Sequence, residues 1–152
     1  MTNSTIRSSI PAPVHGRPRL ACLGLLAFLG LGALAGGVAL VLKPDGSIMQ
    51  MPASMLAGSP FPDFLVPGLI LGGLFGIGSF AVVELGRRDA RPAPFLAFAI
   101  GCGQMIWIVV ELMIIKGVSF LHPLYFGVGL AIAATAVPWG WPTFQGWRAS
   151  RI

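Results

Sequence analysis

Gln104, Trp107 and Glu111 stand three, four and seven residues apart in an otherwise apolar stretch. At about 3.6 residues per helical turn that spacing puts all three on one helix face. The stripe combines an amide, an indole N–H and a carboxylic acid, a set that can accept, donate or carry a proton. Polar groups at membrane depth are costly and mark a ligand or proton site by default. His122, beyond a short link, is the nearest imidazole that could join them.

Two readings stand beside each other. In the structural one, Lys116, His122 or Lys43 ties down Glu111, and Gln104 bonds a neighbouring helix. Such bonds contribute about 1 kcal/mol each in a membrane. In the functional one, Gln104, Trp107, Glu111 and His122 line a small outward-facing cavity that takes a ligand or a proton. Trp107 is deep for a tryptophan of the membrane interface, so its N–H needs an acceptor there; Glu111 or Gln104 would serve.

Met49, Met51 and Met55 offer a second chemistry, because thioethers are soft ligands that suit Cu(I). No Cys or nearby His completes such a site, and methionine also fills irregular gaps in packing. Cys22 and Cys102 form no Cys-x-x-Cys pair and fall at different depths, which argues against a disulfide. No serine is placed with a histidine and an acid, and no phosphate loop or ligand cluster is present, so no catalytic set and no cofactor is implied. Lacking Cys-x-x-Cys also argues against four-helix quinone-linked thiol oxidoreductases such as the vitamin K epoxide reductase family.

The elements that would position these residues are membrane spans. The 152-residue chain is 55% apolar and 10% charged, against about 25% charged in ordinary soluble domains. Apolar runs over about 20–42, 64–85, 94–115 and 123–141 give four spans, each near the roughly 20 residues that cross a bilayer. The net charge of +5 sits in clusters between these runs, a topology signal and not a nucleic-acid-binding face. With the N-terminus inside, Arg7, Arg17, Arg19, Arg87, Arg88, Arg91, Arg148 and Arg151 face the cytoplasm, and Lys43 and Lys116 face out. Trp139, Trp141 and Trp147 then lie at the inner interface. A signal peptide ending at Ala33-Leu34-Ala35 is the alternative for the first run, but the apolar stretch continues past it to Leu42.

The expected fold is all-α: a compact four-helix transmembrane bundle over 19–142, with cytoplasmic tails at 1–18 and 143–152. The first tail reads as flexible. Lys43 to Asp63 forms an outer loop folded over the bundle as a cap. It opens on the turn signal Pro44-Asp45-Gly46, continues as a short strand over 47–51, and makes a helical turn over 52–57. Ser59 is the expected N-cap of the second span, with Pro60 at its first position and Asp63 in its first turn. Pro138 should kink or end the last helix. Small residues allow close helix crossings. They occur in every span as Gly32 with Gly36, Gly72 with Gly76, Ala97 with Gly101, and Gly127 with Ala131.

Pro44-Asp45-Gly46-Ser47, Ser59-Pro60-Phe61, Asp63-Phe64-Leu65-Val66-Pro67-Gly68 and Trp107-Ile108 with Glu111 resemble uncharacterised small four-span membrane proteins of bacteria, over roughly residues 20–140. The resemblance implies the fold and a bacterial cell membrane, and carries no activity. The function expected first is that of a non-enzymatic accessory subunit, packing by its glycine faces against another membrane protein or a second copy. The alternative is a small transporter or ligand-binding protein using the polar stripe.

Overall fold

A computed structural model describes residues 16–114 and 119–149, with side chains placed as far as Trp141 in the last helix. The tail before Gly16, Lys116, and the side chains of Trp147, Arg148 and Arg151 lie outside this description. The described residues form four long helices: α1 Gly16–Leu42, α2 Leu65–Arg87, α3 Ala93–Ile114 and α4 Leu121–Ala149. All are long and apolar enough to cross a membrane, α4 over Leu121–Trp141. Large apolar side chains such as Leu31, Leu74, Ile77, Ile106 and Met113 are exposed along them. Water would penalise that surface and lipid accepts it, so this is a multi-pass membrane protein. α1 begins at Gly16, inside the tail expected to end at residue 18. Pro18 falls in its first turn, where a missing N–H breaks no helical bond.

Glycines bring the helices close. A Cβ on Gly37 would strike the Gly72 backbone and come 2.8 Å from the Gly68 carbonyl oxygen, so α1 and α2 meet backbone to backbone. Gly76 packs under Leu34, and Gly36 against Leu71. On the other side of the molecule Gly101 of α3 meets Gly129 and Ala133 of α4. Gly127 has open space around it, contrary to the contact expected of it. Two residues rotate a helix by about 200°, so Gly129 takes the inner position and Gly127 the outer one. The core around these crossings contains Cys22, Leu26, Leu29, Val82, Ala97 and Ile132.

α2 is not a uniform helix. Its middle, Ile70–Ile77, is π-helical between α-helical ends Leu65–Leu69 and Gly78–Arg87. π turns are rare and usually single. Here Gly72 and Gly76 keep the wider turn free of bulk where it lies against α1.

Local chemistry at the helix ends corrects several expectations. α2 starts at Leu65, not near Pro60, because Phe61 precedes Pro62 and is steered out of the helical region. Ser59 Oγ accepts from the Phe61 N–H instead (3.2 Å). Asp63 caps the helix, its Oδ1 accepting from the Leu65 N–H at 2.9 Å. α4 runs through Pro138 to Ala149; in lipid, ending a helix exposes four carbonyls where a proline frees one. At the same end of the molecule the Arg19 guanidinium bonds Asp89 (2.7 Å) and the Gly86 carbonyl (2.8 Å). Glu84 pairs with Arg88 at 2.7 Å.

The link from α1 to α2 makes two 3₁₀ turns, Ser47–Met49 and Ala53–Leu56. The strand expected over 47–51 is absent. Gly46 sits at φ 78°, a left-handed conformation that glycine adopts without steric cost. Its carbonyl accepts from both Met49 N–H (3.1 Å) and Met51 N–H (3.0 Å), which curls the segment back on itself. The Pro44 carbonyl accepts from the Phe64 N–H at 2.9 Å and closes the base of the loop. Leu56 and Phe64 are buried against Leu40, with Met51, Met55 and Phe61 packed around them.

Candidate functional site

Between α1, α3, α4 and this loop lies a cavity of about 550 Å³. Gln104, Trp107, Glu111 and His122 all line it. On α1 the wall is Leu29, Gly32, Ala33 and Gly36, so the cavity occupies space that larger side chains would fill. Met49, Met51 and Met55 line its loop side.

Gln104 is placed by the α3–α4 crossing. Its stem passes beside Gly129, where an added Cβ would come 3.3 Å from the Gln104 Cβ. The side chain is 2% exposed, and its Oε1 accepts no hydrogen bond. An amide oxygen buried without a partner costs about 1–3 kcal/mol, which makes this atom a mark of unfinished business. Trp107 is held from behind by Phe75 of the π segment, ring centroids 6.2 Å apart. Its indole N–H is also buried, and turns toward Glu111 without reaching a regular hydrogen bond.

Glu111 has no cation at salt-bridge distance among the described residues; the ion pairs there join Arg19 with Asp89, and Arg87 and Arg88 with Glu84. Lys43 therefore does not tie it down, and Lys116 lies outside the description. The His122 imidazole lines the same cavity as Glu111. The imidazole is fixed by a reciprocal cap at the start of α4. The Ser119 N–H donates to His122 Nδ1 at 3.0 Å, and Ser119 Oγ accepts from the Leu121 N–H at 3.4 Å. Nδ1 also stands 3.2 Å from the Ser119 carbonyl oxygen, so both backbone groups of Ser119 hold the ring.

Tyr125, the single tyrosine of the chain, also lines the cavity and was not singled out from the sequence. It follows His122 by three residues, which was the available signal. Its ring stacks on Phe28 at 6.1 Å, and its hydroxyl occupies the place a side chain at Gly32 would take. No family model, curated protein or solved structure matches this chain.

The site therefore stands on its own chemistry. Among the described residues its polar groups at depth are an amide oxygen and an indole N–H without regular partners and an acid with no Lys or Arg beside it, set in an apolar, partly aromatic wall. The three methionines and His122 share the cavity, but Met51 and Met55 also pack on the Leu56–Phe64 core, and His122 Nδ1 is spent on its cap. Among the described residues no three His, Cys, Asp or Glu converge as metal ligands. Cys22 and Cys102 are free thiols, Cys22 buried with its Sγ directed at the Ile132 carbonyl.

Proposed function

We propose that this protein is a non-enzymatic membrane protein that binds a small amphipathic molecule in the cavity between α1, α3, α4 and the α1–α2 loop. The observation that carries the reading is a 550 Å³ cavity whose apolar wall includes the polar residues Gln104, Trp107 and Glu111. That volume lies within the roughly 300–1,000 Å³ of ordinary ligand pockets, which also pair apolar walls with a few convergent polar groups. The apolar part of the molecule lies along Leu29, Ala33, Leu71 and Ile108, and its polar part reaches Gln104, Trp107 and Glu111. The basic clusters support cytoplasmic termini, and with them a cavity that faces outward under a folded loop acting as its cover.

Packing against a membrane partner is supported less well. Gly32, Gly36, Gly72, Gly76 and Gly101 all face groups of this same chain, and only the open sides of residues such as Gly73 and Gly127 remain for a partner. A diazirine-bearing amphiphile, photolysed with the protein in nanodiscs and mapped by peptide mass spectrometry, tests the binding reading. Adducts should concentrate on cavity residues such as Trp107 and Tyr125, and Ile108→Trp should remove them. Labelling confined to outward residues such as Leu74 and Ile106, unchanged in that variant, would overturn it.

A further inference from the structure

We infer that the molecule bound in this cavity is a lipophilic organic cation, with Glu111 as its counter-ion. The inference rests on the binding reading above and specifies its ligand. Glu111 is the one acidic side chain on the cavity wall, and His122, itself committed to the Ser119 cap, is the one basic side chain there among the described residues. Glu111 lines the cavity, and no Lys or Arg among the described residues reaches it. An ionised carboxylate in an apolar wall needs a partner or a proton.

The groups around the acid suit such a partner. Trp107 and Tyr125 present aromatic surface to the cavity, and ring faces attract cations, indole most strongly. His122 is held through Nδ1 by the Ser119 cap. Met49, Met51 and Met55 add polarizable surface that adapts to bulky, irregular apolar groups. A fatty acid or another anion would place two negative charges together beside Glu111. A neutral lipid would leave the carboxylate unanswered. A bulky cation with apolar substituents answers the acid and the walls together.

Tetraphenylphosphonium and tetraphenylborate share shape and size and differ in the sign of their charge, so they isolate this point. Binding of each to the purified full chain in detergent is measured by equilibrium dialysis, for the wild type, Glu111→Gln and Glu111→Asp. Micelle partitioning is common to all three proteins and cancels between them. The expected result is saturable phosphonium binding that weakens about tenfold or more in Glu111→Gln, equivalent to at least about 1.4 kcal/mol, and returns in part in Glu111→Asp. Phosphonium binding equal in all three proteins would overturn the inference, as would tighter binding of the borate. Cavity labelling by a neutral photoprobe together with either of those results would leave the binding reading standing and remove only the cation. Absence of both saturable phosphonium binding and cavity labelling would remove both.

Discussion

Gln104 concentrates the argument at the scale of single residues. Its oxygen is buried without a partner, so the folded protein carries a cost there that an apolar residue would not. Gln104→Leu should therefore leave the protein as stable as the wild type or about 1 kcal/mol more stable, while weakening ligand binding. Thermal unfolding in detergent beside a binding titration checks the pair of outcomes; a destabilised variant would mean that the amide is a structural bond. The stripe itself was legible in the sequence, because a 3.6-residue period and an apolar background make Gln104, Trp107 and Glu111 stand out. Tyr125 and Gly129 were not. Their importance comes from a crossing partner: Gly129 matters because Gly101 and Gln104 lie opposite, and Tyr125 because Gly32 leaves room for its hydroxyl.

At the scale of elements, the α1–α2 crossing fixes one side of the cavity. Gly37→Val must push apart two backbones in contact, and overpacking of this kind costs about 1–3 kcal/mol. A lower unfolding temperature is the expected readout. Gly73→Ala and Gly127→Ala meet nothing within 4 Å. Both should hold or raise stability, by up to about 1 kcal/mol for a glycine removed from a helix interior. The loop depends on Gly46 in the same way. Gly46→Ala forces a left-handed residue at about 1–2 kcal/mol and sets its Cβ 2.9 Å from Phe64 Cε2. Limited proteolysis should then cut between Ser47 and Ser59 faster than in the wild type. Helix starts were harder to read than helix bodies. The hydropathy of α2 announces a span, but its first residue is decided by Phe61-Pro62 and by the Asp63 side chain, and its π segment by contact with α1. The expected strand failed for a related reason: alternation over 47–51 competes with the carbonyl of Gly46, which takes two N–H groups at once.

The whole molecule reads as a membrane protein from composition alone, since 10% charged residues cannot cover a water-soluble surface. The cavity could not be read that way, because it is the space left by Gly32, Ala33 and Gly36 between helices whose crossings are tertiary facts. Orientation gives a further prediction at this scale. With eight arginines on one side, the positive-inside rule predicts termini in the cytoplasm and the loop outside. Ser54→Cys, in a background lacking both native cysteines, should react with a membrane-impermeant maleimide in intact cells, and Arg91→Cys should react only after permeabilisation.

A structure determined in lipid nanodiscs with tetraphenylphosphonium tests the central claim most directly. The account predicts density for one molecule in the 550 Å³ cavity, in contact with Trp107 and against the carboxylate of Glu111. A cavity closed by the surrounding helices, with Gln104 Oε1 bonded to α4 and Glu111 bonded to a lysine of the chain, would contradict it.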